Sequence, residues 1–221
     1  MTAPGHRTAT RRVPAGDRAQ RKREAIVRAA SAAFLRDGYD AGMDTIAAEA
    51  GVSKVTVYNH FGCKEELFTA IVGDILDRAL AASTALIEAR LGASDDVRAD
   101  LTAICRAWVA GHATPEVLAL HSVVVGSTRR FPDLGRTWQE LGPDRFHTLV
   151  RAALQELVDR GRLAIDDVPL AAIQLSGLVL LPHIAYGAAG SAPDADLTDR
   201  LITGGVDMFL ARYLPRAAPA P

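Results

Sequence analysis

From residue 18 onward, apolar side chains return every three to four positions rather than every second one, which is the signature of amphipathic helices. Ile26, Ala29, Ala30, Ala33 and Phe34 share one face of a helix predicted over about 18–37, and Gly38 is placed to end it. A short second helix is predicted over about 44–50, Gly51 permits a sharp turn, and Ser53 is placed to cap a third short helix over about 54–60. A long fourth helix follows over about 64–90, with Leu67, Phe68, Ile71, Val72, Ile75, Leu76, Ala79 and Leu80 on one stripe.

The same period continues to the end of the chain. A helix over about 95–111 carries Val97, Leu101, Ile104 and Trp108, and Thr114-Pro115 opens another to about 128 with a cap followed by proline at the first helical position. A short helix is expected near 132–140, presenting Leu134 and Trp138. One from Gly142-Pro143 to about 160 has Phe146, Leu149, Val150, Ala153, Leu154, Leu157 and Val158 on its inner face. Asp166 or Asp167 caps an apolar helix over 168–188, which Pro182 should kink, and a last helix covers about 194–213. No convincing strand is visible, so the fold class is all-α. The chain divides into a basic arm (1–17), a short N-terminal helical domain (18–66), a larger helical domain (67–214) and a Pro/Ala-rich tail (215–221).

Composition agrees with a globular helical chain: 49% of the 221 residues are hydrophobic and 23% charged, with few aromatics. The net charge of −1 conceals an asymmetry. Arg7, Arg11, Arg12, Arg18, Arg21, Lys22 and Arg23 crowd the first 23 residues against Asp17 alone, as expected of an end that meets nucleic acid or of a solvated tail. Cys63 and Cys105 give neither a disulfide framework nor zinc-ligand spacing, and no apolar leader is visible, so a reducing cytoplasm is expected. Residues 170–189 lack formal charge over the length of a membrane span, yet Gln174, Ser176, Pro182, His183 and Tyr186 interrupt them. A helix buried on all sides, as in a dimer interface, is the reading preferred over a membrane segment.

The chemistry concentrates in residues 24–72. Two short helices joined by a glycine turn have the geometry of a helix-turn-helix, whose second helix enters the major groove of DNA. Ile46, Ala47, Ala50, Val52, Val57 and Phe61 would form its small core. Ser53, Lys54, Thr56, Tyr58, Asn59 and His60 are polar, cannot all be buried, and suit phosphate oxygens and base edges. Lys64 opens the fourth helix, where free N–H groups also attract a phosphate.

This stretch, IVRAASAAFLRDGYDAGMDTIAAEAGVSKVTVYNHFGCKEELFTAIV, resembles the DNA-binding signature of the tetracycline-repressor (TetR) family. The resemblance implies that Tyr58, His60 and Lys64 grip the phosphate backbone. Lys54, Thr56 and Asn59 would lie nearest the bases, and Thr45 and Ser53 would orient the complex. Packing against the fourth helix is the other reading of Tyr58 and His60. Three positions depart from the pattern. Ala41-Gly42 replaces the usual Thr-Ser, so a cap and a phosphate contact are missing. Val55 stands where a small residue is common. Cys63 stands where Ser, Asn or Asp usually caps the fourth helix. A thiol at a helix N-terminus is expected to have a lowered pKa, which leaves a redox-sensing role or a neutral replacement for Cys63.

Farther along, STRRFPDLGRTWQELGPDRF and LQELVDRGRLAIDDVPLAA are similar to the AefR-like subgroup of these regulators. That similarity implies a homodimer, here through about 168–188 and 194–213, with Gly177, Gly187, Ala188, Gly204 and Gly205 allowing close helix approach. A repressor released from its operator by a small-molecule effector is the function expected. Trp108, His112, His121, Trp138, Phe146, Gln174 and His183, with Arg145 and Tyr186, are the candidate effector contacts, being apolar-face residues with polar tips or core residues. His112 and His121 lack the i, i+4 spacing of a helical metal site, and neither metal nor cofactor is expected. A ligand-independent architectural protein of the same fold is the alternative. Motifs for nucleophile elbows, dinucleotide loops, P-loops and zinc proteases are absent, which disfavours an enzyme.

Overall fold

The computed structural model describes residues 14–90 and 96–215. Among them are eleven helices and no strand: α1 (Asp17–Asp37), α2 (Met43–Glu49), α3 (Lys54–Phe61), α4 (Lys64–Arg90), α5 (Val97–His112), α6 (Pro115–Ser127), α7 (Pro132–Leu141), α8 (Pro143–Asp159), α9 (Val168–Val179), α10 (Leu181–Ala188) and α11 (Ala195–Tyr213). Most of the expected basic arm and Pro/Ala-rich tail lies outside the described residues. The chain divides into two compact units, one ending at Ile71 and the other starting at Val72.

The first unit holds α1–α3 and the opening turns of α4. Ile26, Ala30, Ala33 and Phe34 of α1 are buried with Ile46 and Ala47 of α2, Val57 and Phe61 of α3, and Leu67 and Phe68 of α4. Phe34, Tyr39 and Phe68 form an aromatic trio with ring centroids 5.1–5.8 Å apart. Burying a phenylalanine contributes about 1.5–3 kcal/mol, so this trio anchors a unit otherwise built from small residues. Gly51 adopts φ 65 between α2 and α3, a left-handed conformation that non-glycine residues adopt only at a cost. That turn lets the Val52 N–H reach the Ala47 carbonyl at 3.0 Å. Ser53 then caps α3, its Oγ accepting from the Thr56 N–H at 3.2 Å.

In the second unit α11 packs on α9 and α5, and α8 packs on α9 and α7. Leu101, Ile104, Trp108, Phe146, Leu154, Leu157, Ala171, Leu175, Val206 and Phe209 are the centre of its core. Asp96, Thr114, Asp167 and Asp194 each accept a hydrogen bond from the backbone N–H three residues on, at 2.8–3.3 Å, fixing where α5, α6, α9 and α11 begin. Such caps contribute about 1 kcal/mol each. Gly111 allows the closest helix approach: a Cβ there would sit 1.9 Å from the Ala79 carbonyl oxygen.

The apolar segment 168–188 is two helices bent by 44°. Pro182 supplies no N–H to the helix and crowds the preceding turn, which breaks it at Leu180. No single helix among the described residues is long and apolar enough to cross a membrane. Within one chain this segment is not covered on all sides, and the burial expected of a dimer interface would need a second copy. Leu170, Ile173, Leu181 and Tyr186 are exposed, as is Met208 on α11. Two of the expected interface glycines serve internal packing instead. A Cβ on Gly205 would meet Val179 at 3.0 Å, and one on Gly187 would meet Leu118 at 2.7 Å, whereas Gly177 and Gly204 face open space.

Candidate functional site

The buried residues of α3 are Val57, His60 and Phe61, one helical face, and the opposite face carries Lys54, Val55, Tyr58 and Asn59 outward. Thr45 is exposed on α2, and Thr56 is half-buried with its hydroxyl 2.9 Å from Ser53 Oγ. Lys54 is not an isolated cation, because its ammonium pairs with Asp44 of α2 at 2.8 Å. The pair braces α3 against α2 and orients a long side chain along the exposed face. Lys64 is half-buried, its ammonium 4.8 Å from the Tyr39 ring centroid and 5.8 Å from that of Phe34. A cation held over aromatic faces keeps its charge while losing rotamer freedom, which favours a fixed phosphate contact.

His60 departs from expectation. It is only 6% exposed, because its position on α3 turns the ring inward beside Phe61. Burial, with Arg23 and Lys22 adding repulsion, lowers its pKa, and its Nδ1 is buried without a partner among the described residues. It belongs to the packed underside of α3. Val55 is what the sequence reading did not use as a contact: it is 67% exposed at the front of the helix, an apolar surface among polar neighbours. Cys63 also differs. Its Sγ accepts from the Glu66 N–H at 3.4 Å, so the thiol does act as a cap. Its pKa is nonetheless raised, chiefly by burial and then by Glu65, and the expected acidified thiol is absent. Gly42 precedes α2 with no side-chain cap, as the sequence implied.

Inside the second unit lies a cavity of about 270 Å³ between α4, α5, α7, α8, α9 and α10. Trp108, His112, Trp138 and Phe146 of the expected contacts line it. Trp108 and Phe146 are stacked 3.6 Å apart at 15°, making one flat wall. His112 donates from Nδ1 to the Trp108 carbonyl at 3.2 Å, and burial pushes its pKa down to about 4. The other expected contacts, His121, Gln174, His183, Arg145 and Tyr186, stand outside its lining. His121 lies against Trp138, ring centroids 5.3 Å apart, outside the cavity lining. Gln174 accepts from the Tyr213 hydroxyl at 2.6 Å, tying α9 to α11. His183 is buried, donates from Nδ1 to the Val179 carbonyl, and borders a separate groove with Arg106 and Asp199. Arg145 is paired with Asp77 at 2.5 Å.

His147 and Ser176, not among the expected effector contacts, also line it, 2.8 Å apart. Their signal was hidden because each falls one position beside an apolar stripe, and only the packing of α8 on α9 brings them together. Among the described residues no cluster of three His, Cys, Asp or Glu side chains could hold a metal ion.

Residues 26–71 match the family of bacterial regulatory proteins named tetR, and residues 99–215 match the AefR-like transcriptional repressor, C-terminal domain. The chain belongs to the TetR family. A TetR-family regulator from Mesorhizobium loti is 30% identical with a TM-score of 0.81, covering 90% of this chain and all of its own. The flavonoid-responsive regulator FrrA is 28% identical with a TM-score of 0.71 over 90% of this chain and all of its own. The HTH-type transcriptional activator FasR of Mycolicibacterium smegmatis is 48% identical over 52 residues, 23% of this chain, and the match spans only about a quarter (24%) of that relative's length. This chain is therefore a DNA-binding transcriptional regulator rather than an enzyme, of a family that binds DNA operators and forms dimers.

Proposed function

We propose that this TetR-family regulator is a homodimeric repressor released from its operator by a small molecule that enters the cavity around Trp108 and Trp138. The cavity is the observation that carries the reading: a filled helical unit would instead favour a ligand-independent architectural protein. The response of FrrA to flavonoids supports a small-molecule input, while FasR, named an activator, makes the direction of control a matter for the assay.

In this reading Lys54, Val55, Tyr58 and Asn59 face the major groove, with Thr45, Ser53 and Thr56 supporting them and Lys64 holding a phosphate. Val55 presents methyl groups suited to the 5-methyl of thymine. His60 acts from beneath by holding α3 in place. The dimer forms through the exposed Leu170, Ile173, Leu181, Tyr186 and Met208, whose apolar surface would otherwise stay in water. Two half-sites about 34–36 Å apart, or a multiple, are then read together. Leu76 lines the cavity on the same helix that begins with Lys64. A ligand that prefers one position of α4 shifts operator affinity by the coupling typical of such systems, about 1–3 kcal/mol.

Fluorescence anisotropy with DNA flanking the regulator's own gene tests this. Salt-steep, sequence-specific binding that an effector weakens supports it. An effector that fills the cavity and leaves operator affinity unchanged removes the release mechanism, and transcription from the same promoter in vitro distinguishes repression from activation.

A further inference from the structure

Among the described residues, no Lys, Arg, Asp or Glu lines the cavity. Its polar side-chain groups are those of His112, His147, Ser176 and Trp138. The hydrogen bonds already made decide what each can still offer. The Trp108 carbonyl only accepts, so His112 Nδ1 carries the ring hydrogen and Nε2 keeps a bare lone pair, with no partner among the described residues. Ser176 has one hydroxyl hydrogen, donated to the Ala172 carbonyl at 3.0 Å, so it accepts from His147 Nε2 at 2.8 Å and retains one lone pair. Burial disfavours the charged form of both imidazoles. The Trp108 ring meets that of His112 edge-on at 5.9 Å between centroids, and its own indole N–H is turned away into the packed core, without a partner among the described residues.

Resting on the reading of this cavity as the effector site, we propose that the effector is an uncharged, flat, largely apolar molecule bearing a phenol-type hydroxyl that donates to His112 Nε2. A hydroxyl donates to such a lone pair and brings no charge into the wall. A carboxylate would be buried with no cation and at most isolated neutral donors, and an ammonium would be buried with no carboxylate. Both carry desolvation costs that this wall does not offset. The stacked Trp108–Phe146 pair and the Trp138 ring accept a planar hydrocarbon body. About 270 Å³ lies just below the usual range for ligand pockets, ~300–1,000 Å³, which leaves no room for a nucleotide-bearing thioester held entirely inside.

The chain has two tryptophans, and both line the cavity, so intrinsic fluorescence reports its occupancy directly. Three probes of one shape separate the chemistries at pH 7.5: 4-phenylphenol, biphenyl and biphenyl-4-carboxylate. The full-length protein is expected to bind the phenol about five-fold or more tighter than either of the others, the effect of one net hydrogen bond. His112→Phe should abolish that preference while biphenyl still binds, which also shows that the variant is folded. His112→Gln, which restores an acceptor, should recover part of it. A carboxylate that binds as tightly as the phenol, a preference that survives His112→Phe, or no quenching by any probe overturns the proposal. Discrimination by fluorescence without loss of operator binding in the anisotropy assay leaves this assignment standing and refutes the release mechanism instead.

Discussion

Gly111 sits where α5 crosses α4, and replacing it with alanine is a severe test of that crossing. A Cβ at this position would lie 1.9 Å from the Ala79 carbonyl oxygen, 2.8 Å from its carbon and 3.1 Å from its Cα. These atoms are backbone and cannot rotate away. Restoring an ordinary contact of ~3.5 Å requires the helices to separate by roughly 1.5 Å, opening the core beside Leu80 and Trp108. Overpacking costs about 1–3 kcal/mol where side chains absorb it, and the upper end applies here. The higher helix propensity of alanine returns about 1 kcal/mol. A net loss of about 2 kcal/mol lowers the melting temperature by ~4–8 °C in a chain of this size. Gly126→Ala is the matched control, because nothing lies within 4 Å of the Cβ it would add on the exposed side of α6. That change should stabilise by ~0.5–1 kcal/mol. Thermal and urea unfolding of the two variants beside the parent decides the matter. A Gly111→Ala protein as stable as the parent, or both variants shifting alike, would refute the close crossing.

Further outcomes follow from the sites. His112 takes up its proton near 6.5 in the unfolded chain but only near about 4 when folded, so the unfolded state holds more protons between these values. Stability should therefore fall as pH drops through that window, by about 3 kcal/mol for this residue, and urea midpoints at pH 7 and pH 4.5 should differ less in His112→Phe. Tyr58→Ala and Lys64→Ala should weaken operator binding in anisotropy titrations, and Lys64→Ala should reduce the salt slope by about 1, as loss of one phosphate contact requires. Replacing the thymine that meets Val55 by uracil should cost the parent about four-fold in affinity, the value of one buried methyl, and cost Val55→Ala nothing. Leu181→Glu should convert the dimer to monomer in sedimentation velocity. A dimer that survives it places the interface away from the α9–α10 face.

Helix positions were legible in the chain because capping chemistry marks them. Ser53, Thr114 and Asp167 announce starts, Gly38 and Pro182 announce a stop and a break, and the observed helices obey each of them. Which side of a helix a polar residue faces was less legible. His60 lies in a run of polar residues on a seven-residue stretch, where one residue of phase decides between water and core, and the core was chosen. The pKa of Cys63 was misjudged for a related reason: the helix end was visible in the sequence, whereas the burial and Glu65 beside it were not. Most of the cavity lining was not legible because a cavity is a property of several helices at once. His147 and Ser176 are 29 positions apart, and nothing local in the chain links them.

Ile173 and Leu181 hold two positions at once: they line the cavity, and they are 56% and 59% exposed on the face assigned to the partner subunit. Under the proposed function, the inner surface that would touch the effector and the outer surface that would touch a second copy are opposite sides of the same two side chains. Any preference of the effector for one packing of this pair would, by thermodynamic reciprocity, return as a change in dimer affinity. The effector concentration that releases the operator would then depend on the concentration of the protein itself.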